Sequence, residues 1–277
     1  MGAHINPSGT ASTDPGQVII QFDDCQLLFR SDVPDALEYM AQAFGHMIAD
    51  RVTNSIGELE FIHIPNGYSI RGSSETDYPA VALADLLPLL KDEVRLRFMR
   101  ARPDLLWMHA GAVERSGVAL LLSGPSGHGK STLTTLLCER GWRLMSDDIA
   151  PVRMDVDEVL PFPQSPLRRI HPGHEVDPLQ VSYLDREPVS VATEMLRRGA
   201  APIGALVFIE YKGGVPAGLV KIPRGSAAME MLRNATNFVD HKGAAVGRVA
   251  ALARRVPAYR LLYGRGADAV ALVDALW

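Results

Sequence analysis

Cysteine is nearly absent from the sequence, which contains only Cys25 and Cys138 among its 277 residues. Two thiols cannot form a disulfide framework, and no C-x-x-C spacing suitable for zinc is present. Cys25 lies in a strand-like stretch and Cys138 in a helical one. We therefore interpret both as reduced thiols that pack inside a cytosolic protein.

Long apolar runs and a basic charge balance are absent as well. No apolar run approaches the ~18 residues that a membrane helix requires. The formal net charge is −4, whereas a nucleic-acid-binding domain usually carries a basic balance. Residues 1–16 lack the charged start and apolar run of a secretory signal, and we interpret them as a mobile tail. These absences predict a soluble cytoplasmic protein whose partners include neither nucleic acid nor a membrane.

Hydrophobic residues make up 47% of the chain, which is enough for a sizeable core. The first part, residues 17–102, mixes strand-like and helical patterns. Residues 17–30 predict a hairpin or a bent strand, and residues 57–71 predict a hairpin through their Asn-Gly turn. Residues 35–48 and 81–100 have helical spacing. We expect a small α+β unit that has no chemical motif of its own and helps to recognise a substrate.

In the second part, residues 103–277, strands alternate with helices, which is typical of an α/β architecture. The predicted strands are residues 110–113, 118–122, 142–145, 203–211 and 256–263. The predicted helices are residues 131–140, 226–238, 243–255 and 267–276. Residues 160–180 carry five prolines and are expected to form an extended excursion.

The chemically informative motif is Gly124–Ser131, which matches the Walker A or P-loop pattern G-x-x-x-x-G-K-[ST] between an apolar strand and an amphipathic helix. Its glycines allow a tight turn whose backbone N–H groups approach phosphate oxygens. Lys130 would reach the β- and γ-phosphates, and Ser131 would offer its hydroxyl to Mg²⁺. The predicted nucleotide-binding residues are Gly124, Pro125, Ser126, Gly127, His128, Gly129, Lys130, Ser131 and Thr132.

An acidic pair, Asp147-Asp148, follows the strand after the P-loop helix. Strand ends at that edge of an α/β sheet face the ligand crevice. One carboxylate would hold Mg²⁺, and the other would accept a proton from an attacking hydroxyl. Asp148 joins Ser131 as the expected metal pair, although the pattern leaves open which aspartate does which. The alternative is an acidic turn on a solvated loop.

Four further residues are weaker candidates. His109 lies beside apolar residues, where a packing role is the usual one. Arg168-Arg169 lies in the proline-rich excursion and is either a solvated basic pair, the commoner situation, or a source of positive charge for the transferred phosphoryl group. Glu210 ends a buried strand and is either a second carboxylate of the site or an ordinary strand end.

Three segments together resemble the catalytic domain of HPr kinase/phosphorylase, and are closest to related proteins without that enzyme's usual N-terminal domain. The segments are His109–Val113, the P-loop, and Gly141–Asp148. The resemblance implies a P-loop kinase core akin to phosphoenolpyruvate carboxykinase, with the catalytic residues on His109, Lys130, Asp147 and Asp148. It also extends to kinases that phosphorylate a serine of a precursor peptide in lasso-peptide pathways.

The resemblance implies an ATP- and Mg²⁺-dependent kinase that acts on a serine of a protein or ribosomal precursor peptide. It also makes a homo-oligomer one possible state of assembly. The glycine-rich signature that accompanies phosphorolysis in HPr kinase/phosphorylase is missing from residues 160–172, which argues against that reverse reaction. The alternatives are a small-molecule kinase and a nucleotide-binding regulatory protein that transfers nothing. Neither an N-K-x-D motif of GTPases nor an L-S-G-G-Q signature of transport ATPases is present.

Overall fold

The computed structural model describes residues 16–72, 76–79, 81–125, 127–169, 186–189 and 191–277, with the backbone alone at 167–169 and 186–188. Almost all of the predicted tail, residues 1–15, therefore lies outside the described residues. Within these ranges no helix combines the length and apolar character needed to cross a membrane.

The N-terminal unit is one sheet of five strands with two helices. Its strands are β1 (Gly16–Phe22), β2 (Cys25–Ser31), β3 (Ser55–Ile64), β4 (Gly67–Arg71) and β5 (Thr76–Pro79), and its helices are α1 (Pro34–Ala43) and α2 (Leu83–Ala101). Strands β2 and β3 run parallel, because α1 and a 3₁₀ turn at Gly45–Met47 connect them, and the other neighbours are antiparallel. Both predicted hairpins and both predicted helices are confirmed.

The core of the N-terminal unit extends into the second half of the chain. Phe22 of β1 packs against Trp107 and Phe162, with ring centroids 5.2 and 5.1 Å apart, and Phe98 of α2 joins the same group. Ile149 belongs to this core as well. Residues on both sides of position 103 thus bury each other's apolar surface.

The remaining elements build the second unit. Its strands are β6 (Leu105–Arg115), β7 (Val118–Ser123), β8 (Arg143–Ser146), β9 (Ile149–Arg153), β10 (Glu158–Val159), β11 (Leu167–Arg169), β12 (Arg186–Pro188), β13 (Ala201–Tyr211), β14 (Gly218–Lys221) and β15 (Ala258–Tyr263). Its helices are α3 (Lys130–Glu139), α4 (Arg224–Arg233), α5 (Phe238–His241), α6 (Gly243–Arg255) and α7 (Gly266–Asp274). The α/β fold class is confirmed.

Strands β7, β13 and β15 are parallel and lie side by side in a mixed eight-stranded sheet. Their apolar runs are continuous because helices cover both faces. In β13, Leu206 and Phe208 face a core shared with α4 and α6, while Val207 and Ile209 face a core shared with α3 and α7. The carboxyl ends of the three strands meet at one edge, where the P-loop follows β7.

The predicted helix over residues 226–238 is wrong at its end, because α4 stops at Arg233. The Asn237 side chain, which is 5% exposed, accepts a hydrogen bond from the Trp107 N–H at 2.9 Å and donates one to the Leu105 carbonyl at 2.9 Å. These bonds satisfy two buried groups of β6 that lack a strand partner there. Satisfying the β6 backbone therefore takes precedence over extending α4.

An ion-pair network holds α6 to the turn before β10. Arg255 and Arg248 both bind Asp157, with Arg248 Nη1 at 2.6 Å and Arg255 Nη2 at 2.8 Å from the same carboxylate oxygen. The hydrogen bonds from Arg255 and Arg248 lower the pKa of Asp157 to about 2.

Candidate active site

The P-loop connects β7 to α3 in the predicted strand–loop–helix context. Gly127 and Gly129 have φ values of 81° and 87°, in the left-handed region that favours glycine. Gly124 packs against β13 so closely that a Cβ atom there would lie 2.6 Å from the Ile209 carbonyl oxygen. Ser126 lies outside the described residues. The glycines thus serve both the turn and its contact with the sheet.

Tyr263, the last residue of β15, contacts the backbone of the P-loop through its hydroxyl. Its hydroxyl lies within hydrogen-bonding distance of the carbonyl oxygens of His128 (3.4 Å) and Gly129 (3.3 Å). Burial raises the pKa of Tyr263 to about 12, so the hydroxyl stays a neutral donor. A Cβ atom on Gly129 would collide with it. Sequence analysis missed this residue, although its place at the end of a strand parallel to β7 was a usable signal.

Lys130 begins α3 and is folded back onto the loop. Its ammonium donates to the carbonyl oxygens of Gly124 at 2.7 Å and Pro125 at 3.2 Å. Burial lowers the pKa of Lys130, while Asp148 and Asp147 oppose that effect. The side chain thus keeps a positive charge inside the loop that would surround a phosphate.

The acidic pair follows the carboxyl end of β8, as predicted, and it also lies at a break between two strands. Strands β8 and β9 both run antiparallel to β6, where Ser146 pairs with Ala112 and Ile149 with His109. The intervening Asp147-Asp148 turn therefore bulges out of one long ladder beside Gly111. A Cβ atom on Gly111 would lie 2.7 Å from the Thr134 hydroxyl and 3.2 Å from the Asp147 carbonyl, so a glycine lets α3 and the turn approach β6.

Asp147 faces the P-loop helix. Its Oδ2 accepts a hydrogen bond from the Ser131 hydroxyl at 2.8 Å, and its buried Oδ1 has no partner among the residues that the structure describes. Burial, together with the charge of Asp148, raises the pKa of Asp147 to about 6. An unpaired buried carboxylate oxygen next to the P-loop hydroxyl is suited to a cation.

Asp148 points to the other side of the turn, toward positive groups. Its Oδ1 lies 3.2 Å from His109 Nδ1 and its Oδ2 lies 2.5 Å from Arg95 Nη2. Burial opposes the charge, but the attraction of the cations Arg95, Lys91 and Lys130 is larger and holds the pKa of Asp148 well below its usual range. Its side chain is 27% exposed, whereas Asp147 is 4% exposed. Of the two carboxylates, Asp148 is the one that solvent or an acceptor can reach.

His109 lies opposite the acidic turn on β6. Burial lowers the pKa of His109, although Asp148 raises it in part. The imidazole is therefore neutral near pH 7, and the Nδ1–H tautomer would donate to Asp148. Its backbone N–H donates to the Asn234 carbonyl at 2.7 Å, which fixes the strand on that side.

No family model matches the chain. Over a stretch of 68 residues it is 40% identical to the HPr kinase/phosphorylase of two strains of Treponema pallidum. The stretch covers 23% of this chain and 21% of those proteins, so the chain spans about a fifth of the length of the curated relatives it matches. This match supports an HPr-kinase-like family. Among solved structures, the Hpr(Ser) kinase/phosphatase from Coxiella burnetii aligns with 61% of this chain and 87% of its own, with 12% identity and a TM-score of 0.35.

Two cations of the candidate site come from the N-terminal unit, which was expected to contribute no chemistry. Lys91 and Arg95 lie one turn apart on the buried face of α2, each 9% exposed. Burial, with Arg95 beside it, lowers the pKa of Lys91 to about 8. The signal in the sequence was that both interrupt the apolar face of the helix, next to Leu90 and Val94.

The other predicted residues lie farther from this cluster or lack a described side chain. Glu210 is exposed at the end of β13, and no hydrogen bond or ion pair of its side chain is found within the described ranges. Thr132 is exposed on α3. Arg168 and Arg169 lie in β11, which pairs with β12, but their side chains are not described. Their roles stay predictions.

A magnesium ion would fit the candidate site on the side of Asp147. Within the described ranges no three His, Cys, Asp or Glu side chains converge as a metal cage. Mg²⁺ in phosphate-transfer sites needs no such cage, because substrate phosphates and waters supply most of its ligands. Ser131 Oγ and Asp147 Oδ1 are the protein oxygens placed to complete the shell.

Proposed function

We propose that the chain is an ATP-dependent kinase that transfers the γ-phosphate to a serine hydroxyl of a protein or ribosomal precursor peptide. The observation that carries the proposal is the 2.8 Å hydrogen bond from Ser131 of the P-loop helix to Asp147, with the reachable Asp148 next to it. Nucleotide, metal and acceptor groups would meet at this point. The HPr-kinase-like stretch supports the same chemistry, since its relatives are named as kinases of the protein HPr.

The P-loop would bind the phosphates of ATP. Backbone N–H groups of the loop and the N-terminus of α3 offer donors and positive potential to the phosphate oxygens. The Lys130 ammonium, now on the carbonyls of Gly124 and Pro125, would shift to the β- and γ-phosphates. The hydrogen bonds of Lys130 would become stronger, because anionic phosphate oxygens are better acceptors for an ammonium than neutral carbonyl oxygens.

Ser131 and Asp147 would hold Mg²⁺, which, when bound, neutralises charge on the phosphates. From the sequence, Asp148 was expected beside Ser131 in this role, although the pattern left the assignment of the two aspartates open. The geometry favours Asp147, because its Oδ2 already lies 2.8 Å from Ser131 Oγ and its Oδ1 has no described partner. Both oxygens of Asp148 instead face positive groups or the imidazole.

Asp148 would accept the proton of the acceptor hydroxyl. In the transfer, the serine oxygen forms a bond to the γ-phosphorus while the bond from that phosphorus to the β–γ bridging oxygen breaks. The hydroxyl proton passes to the Asp148 carboxylate, and ADP leaves with the bonding electrons. A carboxylate held ionised by Arg95 is ready to receive that hydrogen bond throughout the reaction.

Single-turnover transfer from γ-labelled ATP with Mg²⁺ tests the proposal. The acceptors would be HPr, peptides encoded beside this gene, free serine and common sugars. Lys130→Ala should lose label by about 10²-fold or more, since a preorganised charge on the transferred group is worth that much. The matched control is Lys221→Ala, which removes an exposed lysine on β14.

Label on a peptide or protein serine, lost in Lys130→Ala and kept in Lys221→Ala, supports the proposal. Label that appears on free serine or a sugar alone would replace the acceptor class with a metabolite. Tight ATP binding without label on any acceptor would contradict transfer and favour a regulatory role.

A further inference from the structure

Arg95 connects three separate segments around the acidic turn. Its Nη2 donates to Asp148 Oδ2 at 2.5 Å and to Gln164 Oε1 at 2.7 Å, and its Nε donates to the same Gln164 oxygen at 3.0 Å. Its Nη1 donates to Asp92 Oδ1 at 3.0 Å. The guanidinium is planar, so these bonds fix its orientation and, through it, one oxygen of Asp148.

The segment that carries Gln164 is held against the N-terminal unit. Gln164 is 1% exposed and belongs to the irregular segment after β10. The backbone of the next residue, Ser165, donates to the Ala43 carbonyl at 3.0 Å, at the end of α1. Arg95, itself 9% exposed, therefore contacts the acidic turn from between the N-terminal unit and the segment packed on it.

The other oxygen of Asp148, Oδ1, does not contact Arg95 and would be the one to accept the proton of the acceptor hydroxyl. Oδ1 lies 3.2 Å from His109 Nδ1, a neutral partner, whereas Oδ2 carries the charged contact. Lys91, one helical turn before Arg95, adds a second positive charge on the same face of α2. The carboxylate is thus oriented by two elements from opposite sides, α2 and β6.

We propose that Arg95 is a positioning residue of the transfer site, which acts through Asp148 by fixing its carboxylate for the acceptor hydroxyl. The N-terminal unit then forms part of the active site and is more than a recognition appendage. This inference rests on the proposed kinase function. It assigns Arg95 no contact with ATP or with the acceptor.

The test combines Arg95→Gln with Asp148→Asn and measures single-turnover transfer at saturating ATP, together with ATP affinity. Arg95→Gln should slow transfer by about 10- to 100-fold, the usual cost of losing a group that orients a functional ligand. ATP affinity should stay within about threefold, because no contact with the P-loop is lost. Asp148→Asn should slow transfer by about 10²- to 10⁴-fold, the range of general-base catalysis.

The double variant distinguishes positioning from a general structural role. If Arg95 acts through Asp148, Arg95→Gln should cause almost no further loss in the Asp148→Asn background. Arg95→Lys keeps the positive charge but not the planar set of guanidinium donors, so it should recover part of the rate. It also provides the test if Arg95→Gln fails to fold. The matched control is Arg100→Gln on the exposed side of α2, which should transfer at the wild-type rate.

Two outcomes would overturn the inference while leaving the proposed function intact. One is wild-type transfer by Arg95→Gln and Arg95→Lys. The other is a loss by Arg95→Gln that multiplies with that of Asp148→Asn. A wild-type chain that labels no acceptor would instead contradict the proposed function, and the inference with it.

Discussion

Gly129→Ala should destabilise the chain through two separable effects. Gly129 has a φ of 87°, and an L-residue in the left-handed region costs about 1–2 kcal/mol. The new methyl group would also collide with the Tyr263 hydroxyl, and overpacking of a rigid site costs about 1–3 kcal/mol. Tyr263 is 2% exposed and cannot swing away. The total loss in the free energy of unfolding should be about 2–5 kcal/mol.

Two companion variants separate these effects. Tyr263→Phe removes the colliding oxygen, and the nearest ring carbon would lie 3.4 Å from the methyl group, an ordinary contact. The double variant Gly129→Ala/Tyr263→Phe should therefore keep only the backbone strain. Gly141→Ala supplies the value of that strain, since Gly141 has the same φ of 87° and no atom within 4 Å of its would-be Cβ.

Urea unfolding of the four variants measures each free energy. We expect the double variant to be more stable than Gly129→Ala and close to Gly141→Ala, with ATP affinity recovering in parallel. Tyr263→Phe alone should cost no more than about 1 kcal/mol, because its two hydrogen bonds are long. A double variant less stable than Gly129→Ala would refute the reasoning, since it would mean that the hydrogen bonds of the Tyr263 hydroxyl stabilise the loop by more than its collision with the new methyl group destabilises it.

Three further predictions concern other parts of the chain. Asp157→Asn should lower the free energy of unfolding at pH 7 by about 1–2 kcal/mol. Because the folded pKa of about 2 lies below the ordinary value, this stability is present above about pH 4 and disappears as the pH falls toward 2. Urea unfolding across that pH range would measure the loss. Asn237→Leu should cost about 1–3 kcal/mol in the same assay, because the buried Trp107 N–H loses its acceptor, while the Leu105 carbonyl still has His241 Nε2 at 3.0 Å; an unchanged free energy of unfolding would argue against the bond to Trp107. In calorimetric titrations, Asp147→Asn should weaken Mg²⁺-dependent ATP binding by at least about 10-fold while Asp148→Asn leaves it near wild type; the reverse order would return the metal to Asp148.

The parts of the site that sequence analysis predicted well are contiguous in the chain. The P-loop needs only neighbouring residues, an apolar strand before it and a helix after it, so its pattern is complete within Gly124–Ser131. The same holds for the hairpin around Asn66, where turn chemistry decides the geometry. Local patterns of this kind leave few alternatives for the backbone.

The parts that were missed depend on contacts between distant segments. Arg95 is separated from Asp148 by more than fifty residues, and no local pattern records that pairing. The sequence placed the acidic turn correctly at the end of β8, but it did not show that β9 continues the ladder along β6, because that pairing exists only in the folded sheet. The predicted helix to residue 238 failed for a related reason, since the partner of Asn237 is the backbone of β6.

The aromatic core around Trp107 limits how the chain can be divided. A cut at the predicted boundary between residues 102 and 103 would leave Trp107, Ile149 and Phe162 without the apolar partners that bury them. A fragment that starts at residue 103 should therefore aggregate, or unfold locally around Asp147-Asp148, where this core is lost. Any exchange of the N-terminal unit must therefore supply new apolar partners for Trp107 on β6 and Ile149 on β9.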